Sequence, residues 1–381
     1  MSQNYLPLLS LEEGRWFKLI CGASFQHLPA VRNLTLAYAL AGADCIDVAA
    51  DPAVIAAARE GIAVAKHLAS QKNWQGLRQK VAPWLMVSLN DGEDPHFRKA
   101  EFDSTQCPSS CYRPCEAICP AHAISFTDHG DDNKPGVIDQ LCYGCGRCLP
   151  VCPSELIFTR SYVSTPNAIA PLIHDLGIDA LEIHTQFDHY KDFQRLWQAI
   201  APYVSQLKLI AISCQDHHHL IDYLRALYEL ISPLPCPLIW QTDGRPMSGD
   251  IGKGTTRAAI QIASKVLDSN LPGYVQLAGG TNNYTISKLA KTGLLKNIKT
   301  QNCPSSQRTF INGVAYGSYA RTLLNPIIDQ LENLENEQNS PLNTNKLEHC
   351  SDLLNLAVKE AYSLVNQIKS AANYPLNLAN P

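Results

Sequence analysis

Long apolar runs are missing from this chain. A membrane-spanning helix needs about twenty apolar residues in succession, and no window of the 381 residues supplies even roughly eighteen. The first residues carry no basic-then-apolar pattern, so no secretory leader is expected. A basic excess is absent too: 31 Lys and Arg stand against 35 Asp and Glu, a net charge of -4. That balance argues against nucleic-acid binding by phosphate neutralisation. The expectation is a soluble cytoplasmic protein with no transmembrane segment. In such a reducing compartment, disulfides are a poor account of the 14 cysteines. At 45% hydrophobic content the chain can build one large domain and a small one.

Eight of those cysteines fall in two runs. One is Cys142-Tyr-Gly-Cys145-Gly-Arg-Cys148-Leu-Pro-Val-Cys152-Pro153; the other places Cys107, Cys111, Cys115 and Cys119 three residues apart and ends on Pro120. The exits match, Cys119-Pro-Ala-His-Ala-Ile124 and Cys152-Pro-Ser-Glu-Leu-Ile157, so the segment is an internal repeat, with Val137-Ile138-Asp139 as a short strand before the second loop. A cubane cluster needs three thiolates converging from one tight loop, and Gly144 and Gly146 let the backbone close round it. Structural zinc usually draws its four cysteines as two separated pairs and fits this spacing poorly. The second run is similar to that of bacterial ferredoxins, where the fourth cysteine of each run ligates the other cluster. On that resemblance two [4Fe–4S] clusters are expected, one on Cys107, Cys111, Cys115 and Cys152, the other on Cys142, Cys145, Cys148 and Cys119. The first run carries one extra residue in each of its first two gaps, so its loop must bulge.

Around this segment, apolar strands alternate with helices. Strands are predicted at Phe17–Ser24, Cys45–Ala49, Trp84–Leu89, Ala180–Thr185, Leu207–Ser213, Leu238–Thr242, Tyr274–Ala278 and Val314–Gly317. Helices are predicted at Pro29–Ala41, Asp51 to about Ser70, Ala168–Leu176, Asp192–Tyr203, Leu220–Ile231, Thr255–Leu267, Thr285–Thr292 and Arg321–Leu334. Asp51 is a suitable N-cap with Pro52 in the first turn. Eight such units favour an α/β fold of the closed (β/α)8 TIM-like kind over an open doubly wound sheet. Residues 15–95 then form the first part of the barrel and 96–160 a ferredoxin-like α+β insertion after the third strand. Residues 161–334 form the rest of the barrel, 335–345 a polar linker and 346–371 an amphipathic C-terminal helix. An insertion there opens on the C-terminal face, where barrel enzymes keep their active sites.

Two glycine-rich loops follow the last strands. Gly279, Gly280, Thr281 and Asn282 in one, with Gly317, Ser318 and Arg321 in the other, either cradle a phosphate such as that of flavin mononucleotide or only make tight turns. A third loop, Gly244 to Thr256, superficially resembles a P-loop but has Met247 at the first glycine and Gly254 after Lys253, so nucleotide hydrolysis is excluded. An anion site near Lys253 and Arg257 stays open. Glu182 and His184 share strand parity and can both point into the barrel. Cys214 and His217, His218 and His219 are candidates for a metal or catalytic role, against a solvated loop. No nucleophile–base–orienter set emerges, so catalytic residues stay unassigned.

The two cysteine runs, together with Gln241-Thr-Asp-Gly-Arg-Pro-Met-Ser-Gly-Asp250 and Gly279-Gly-Thr-Asn282, resemble the light-dependent period protein A family of cyanobacteria over most of the chain. The resemblance implies an iron–sulfur protein of circadian clock input that reports cellular redox state to protein partners. The leading expectation is therefore a redox sensor whose surface near Arg113, His122 and Arg147 is read by proteins of a clock-input or redox-signalling pathway. Its rival is a flavin-dependent oxidoreductase fed with electrons by the clusters. A plain electron carrier would need no barrel.

Overall fold

In a computed structural model the chain is described over residues 6–71, 82–126, 135–139, 141–161, 173, 176–245, 251–296, 310–338 and 346–370. Eight strands form the barrel: β1 (Trp16–Gly22), β2 (Cys45–Ala49), β3 (Trp84–Asn90), β4 (Ala180–Thr185), β5 (Leu209–Gln215), β6 (Leu238–Asp243), β7 (Tyr274–Ala278) and β8 (Gly313–Tyr316). Each pairs in parallel with its sequence neighbours, and β8 closes on β1 with Phe17 opposite Val314. The strands are apolar nearly throughout because both faces are covered. Phe17, Leu19 and Cys21 face the helical layer. Trp16, Trp84, Met86, Leu209 and Ile239 point inward and fill the lower barrel, which Leu11 of the helix Leu6–Glu12 stoppers from below.

Three strands fall where the pattern puts them, β2, β4 and β7; the ends of others shift for local reasons. β1 stops at Gly22, where its pairing with β2 slips and φ reaches 121°. Leu207 is not yet strand: its amide donates to the Val204 carbonyl and closes a turn, so β5 begins at Leu209. Gly317 leaves β8 to start the next helix, its carbonyl accepting from the Arg321 amide. That helix spans Ser318–Gln338, four residues further than the predicted end at Leu334 and into the stretch read as linker. The helix predicted at Ala168–Leu176 lies for the most part outside the described residues. Among the described residues no helix is long and apolar enough to cross a membrane.

The insertion leaves the barrel after β3. Its neck is an antiparallel pair, Arg98–Glu101 with Phe158–Ser161, and a second short pair joins Ile124–Ser125 to Gly136–Val137. It has a small apolar core of its own around Ala100, Ala123, Ile124 and Ile157. Lys99 anchors it from below, donating to Gln26 Oε1 (2.8 Å) and to the carbonyl of Asp139 (2.7 Å). Asn325 of the last barrel helix donates to the carbonyl of Pro120.

The C-terminal helix Ser351–Lys369 packs on the barrel, burying Leu354, Ala357, Val358, Ala361, Leu364, Val365 and Ile368. It lies against the helices Leu28–Ala41 and Ser318–Gln338. Leu28–Ala41, covered on several sides, is correspondingly buried along nearly its whole length. Two charge contacts fasten this layer: half-buried Lys369 reaches buried Asp44, and buried Arg32 is shared between Glu60 and Glu348. If the helix is part of the fold and not a free arm, Leu364→Ala, at a 1% exposed position, should cost roughly 2–5 kcal/mol. Thermal unfolding should then show one cooperative transition at lower temperature; an unchanged midpoint would detach the helix from the core.

Candidate functional site

The insertion presents its cysteines from loops shaped by unusual backbone. Gly144 and Gly146 take φ of 70° and 71°, the left-handed region that a glycine enters without strain. His122 and Glu155 occupy matching positions, three residues past each Cys-Pro cysteine, and adopt nearly the same φ, 47° and 51°. The repeat seen in the sequence is thus a repeat of conformation. In the first run, Arg113 takes φ of 55° just ahead of the short helix Pro114–Ile118, absorbing the extra residues as the predicted bulge.

The eight sulfurs sort into two groups of four. Cys107 interacts with Cys111 and Cys152, and Cys115 with Cys107 and Cys152. Cys145 and Cys148 lie with Cys142 and Cys119 around a hollow enclosing about 420 Å³ out to its open side. Each group therefore draws its fourth member from the other run. Backbone amides donate to sulfur at Cys119 (from Ala123, 3.2 Å) and at Cys142 (from Ala100, 3.4 Å). Burial pushes the Cys148 thiol up to about 12 and raises Cys115, Cys119 and Cys145 as well. At Cys152 burial also opposes ionisation, but the amides around Leu156 and Ser154 outweigh it and hold the pKa below the usual thiol value. A donor set of four thiols with amides aimed at sulfur fits a cluster that needs thiolates.

Beneath the insertion, the upper barrel is lined by charge. Lys18 on β1 is fully buried, paired with Glu182 on β4 and 3.5 Å from Asp47 on β2. Burial alone would lower its pKa; the carboxylates of Glu182 and Asp47 reverse this and raise it. Burial likewise opposes the charge on Glu182, yet Lys18 and His184 pull its pKa down to about 2. For Asp47 burial wins, and its pKa stands at about 6. Gln241 donates to Glu182 (2.6 Å) and accepts from Gln276 (2.5 Å), which in turn accepts from Trp16 (2.7 Å), a ladder that ends at the apolar floor. Above Glu182, His184 Nε2 lies 2.9 Å from Glu182 Oε1 and its Nδ1 lies 3.8 Å from Asp94. Asp94 also holds His96 at 2.8 Å, and His96 Nε2 faces Asp243 at 3.5 Å. His184 is buried and His96 mostly so, which disfavours their protonated forms, but the surrounding carboxylates prevail and raise both pKa values.

Over this network opens a cavity of about 630 Å³, counted to its open side. Gly279, Gly280, Thr281, Gly317, Ser318 and Arg321 all line it, with Tyr143 from the cysteine loop. The insertion thus overhangs the same mouth as Gly279 and Gly280. Asn282 does not line it: its amide donates to the carbonyls of Ile251 and Gly252 and to Thr255 Oγ1, and its oxygen accepts from the Tyr284 amide. Arg321 is committed as well, bonding the carbonyls of Ile20 and Cys21 and stacking 4.3 Å from the Tyr143 ring. Gly279 (φ 65°) is required by packing, since a Cβ there would collide with Asp243.

The other candidates are not assembled with this site. His217 stacks on Phe187 at 3.9 Å, and His218 and His219 are exposed beside it, the solvated-loop alternative. Cys214 is buried in the helical layer, which pushes its thiol up to about 12. Lys253 and Arg257 are exposed at the start of the helix Thr256–Asp268, and Met247 lies outside the described residues. Glu182 and His184 do face inward as their parity implied. Lys18, Asp47, Asp94, His96 and Asp243 escaped the sequence reading. For Lys18 and Asp47 a signal existed, a charge at inward parity within an apolar strand run. For Asp94 and His96 there was none, because only the backward turn after β3 brings them over the barrel.

Comparison with known proteins agrees with this architecture. The light dependent period A iron–sulfur cluster-binding domain matches residues 107–163, and the light dependent period A C-terminal domain matches residues 172–367. Light dependent period A of Synechococcus elongatus is 49% identical over 371 residues, 97% of this chain and 96% of the relative. The protein NrfC homolog of Haemophilus influenzae is 37% identical over 70 residues, 18% of this chain and 28% of that protein. A tryptophan synthase chain of Mycobacterium tuberculosis aligns over 96% of this chain and 98% of its own, at 11% identity and a TM-score of 0.38, too shallow to carry an argument. The chain belongs to the light dependent period A family and carries its iron–sulfur cluster-binding domain.

The buried network makes a pH prediction. An unfolded Asp titrates near 3.9, whereas Asp47 does so at about 6 in the fold. Across that window the native state holds the extra proton, so the stability this group allows is present at low pH and lost as pH rises through about 6. Asp47→Asn removes that loss. Its melting temperature relative to the parent should climb between about pH 4.5 and pH 7, measured anaerobically; a constant difference would show that Asp47 ionises normally.

Proposed function

We propose that this member of the light dependent period A family is a cytoplasmic redox sensor of a circadian clock-input pathway, in which two [4Fe–4S] clusters on the inserted domain set how strongly the surrounding surface binds a partner protein. The observation that carries this reading is the sorting of eight sulfurs into two groups, each completed by the other run. Cys107, Cys111, Cys115 and Cys152 would hold one cluster, and Cys119, Cys142, Cys145 and Cys148 the other. When bound, such clusters supply one-electron chemistry and change the local charge by one unit.

The protein's own residues convert that charge into binding. Tyr112, between two cysteines of the first run, is 81% exposed, and Ile118 and Phe158 are exposed on the same domain. Exposed apolar side chains grouped on a small domain suit a protein–protein contact. Arg113 and His122 are exposed beside them and Arg147 is half-buried, so a partner docked here meets the cluster charge at short range. One unit charge about 8 Å from another is worth roughly 2 kcal/mol at an effective dielectric of about 20, more than tenfold in affinity. A partner preferring one redox state must bias the clusters' potential reciprocally.

A flavin-dependent oxidoreductase is the second reading, favoured by the cavity that Gly279, Gly280, Thr281, Gly317 and Ser318 line. It is the weaker one. Arg321 is already bonded to Ile20, Cys21 and Tyr143, and Asp47 and Asp243 place carboxylates on the cavity wall where a flavin phosphate needs donors.

Two measurements test the proposal. Cys119→Ser and Cys145→Ser should each lose about half the cluster iron and the same electron-paramagnetic-resonance signal, and the double variant should lose no more; Cys152→Ser should lose the other signal. Were each run closed on itself, Cys119→Ser would instead match Cys107→Ser. Clock-input partners should bind the oxidised and reduced protein with affinities at least roughly tenfold apart under anaerobic conditions. Equal affinities with steady turnover of a flavin-linked substrate would make the protein an enzyme.

A further inference from the structure

We propose that Asp94, His96 and His184, with Asp243 beside them, form a mononuclear site for a divalent first-row transition metal at the floor of the mouth cavity, separate from the cysteine-bound clusters. The three residues come from two places in the chain, the turn after β3 and the top of β4, and their ligating atoms all lie within 4.8 Å of one another. Asp94 is 2.8 Å from His96 Nδ1 and 3.8 Å from His184 Nδ1. Ligand atoms around one ion at metal–ligand lengths of about 2.0–2.2 Å stand about 3–3.5 Å apart, so the set is close to closing on an ion without rebuilding.

The support behind the histidines has the form that metal-binding imidazoles require. His184 Nε2 faces Glu182 Oε1 at 2.9 Å, and Gln241 donates to that same oxygen at 2.6 Å, so the ring is fixed with Nδ1 turned to Asp94. A carboxylate behind a histidine sets both its orientation and its basicity as a ligand. On the other side Asp243 Oδ2 lies 3.5 Å from His96 Nε2, while Asp243 Oδ1 is buried with no hydrogen-bond partner. Asp243 is 5% exposed, so that oxygen is withheld from water with nothing to satisfy it. It lies against the Gly279 backbone and not on the Nδ1 side of His96 where the ion would sit, so Asp243 positions His96 from behind and is not itself a ligand.

His96, His184 and Asp243 also line the cavity, so coordination positions would remain open to water or a small ligand, as at catalytic and not structural metal sites. Imidazole with carboxylate suits Zn²⁺, Fe²⁺ or Mn²⁺, and the absence of thiolate separates this site chemically from the clusters. The competing account is an ion-paired quartet in which Asp94 binds both imidazoles directly and no metal enters.

The test uses the full-length protein purified anaerobically with its clusters in place. Elemental analysis first counts zinc, manganese and iron in excess of cluster iron. Mn²⁺, which thiolates bind poorly, is then titrated and followed by loss of its free-ion paramagnetic signal. One non-cluster ion per chain is expected, either resident or taken up. His96→Ala and Asp94→Asn should each release the resident ion or weaken Mn²⁺ binding at least about tenfold, with cluster absorbance unchanged. His96 does not touch Glu182, so its replacement spares the buried Lys18 pair and decides the matter if Asp94→Asn fails to fold. No ion beyond cluster iron and no Mn²⁺ uptake at millimolar concentration would overturn the proposal. Uptake indifferent to both variants would overturn it equally.

Discussion

A lysine with no access to water sits inside the barrel, and much of the interior is arranged around keeping it charged. Taking Lys18 out of solvent costs several kcal/mol unless a partner and further hydrogen bonds compensate. Glu182 supplies the charge, and Gln241, Gln276 and Trp16 supply the hydrogen bonds in sequence down to the apolar floor. The same carboxylate then fixes His184 above, so a requirement set at β1 is passed up through β4 to the mouth. A barrel filled only with aliphatic side chains would be as compact but would give Asp94, His96 and Asp243 nothing to assemble on. Removing one partner of such a pair is far more damaging than replacing both with apolar groups, because it strands the other charge.

The insertion is joined to this platform at a few points with distinct physical characters. Lys99 is a buried cation that binds the carbonyl and carboxylate of Asp139, holding the chain just ahead of the second cysteine loop. Tyr143, inside that loop, packs edge-on against Phe25 at 6.0 Å and lies under the Arg321 guanidinium. Arg321 in turn binds carbonyls at the top of β1, one strand turn above Lys18. The cysteine loop is therefore seated on the barrel rim by an aromatic ring and a guanidinium stacked on it, a contact in which the ring face offsets part of the cation's lost hydration.

Periodicity carried the fold. Short apolar segments with β-branched residues and helices between them placed all eight strands, and Asp51 is the N-cap it was read as, its carboxylate accepting from the amides of Ala53 and Val54. The errors lie at ends, where one hydrogen bond decides: Leu207 belongs to a turn, and Gly317 to a helix start. The cysteine pattern was equally readable because ligand spacing is local. Phosphate recognition at the glycine loops was less so. Glycine permits either a turn or a close approach to oxygen, and only the fold shows that Asn282 and Arg321 are already hydrogen-bonded to backbone. The Asp94–His96–His184 constellation was illegible, because residues some ninety positions apart meet only once the barrel closes.

The two sulfur groups differ in depth, and that difference bears on what each can influence. Cys107 and Cys111 lie among exposed residues, Tyr112 next to Cys111, whereas Cys142 and Cys148 are buried beside the rim at Tyr143. A charge at the outer group is felt by whatever docks on the insertion, at an effective dielectric near that of a protein surface, and salt screens it over about 8–10 Å. A charge at the inner group lies next to the aromatic ring that Arg321 covers and above the carboxylates of the mouth, where water is scarce and screening weak. Were a cluster bound at each group, one added electron would have unequal consequences: at the outer group it would act on whatever docks there, at the inner group on the barrel's own titrating network. Seating one group on a polar barrel is what makes the two distinguishable, and on the proposed reading it would give the large domain a physical role that electron carriage alone would not require.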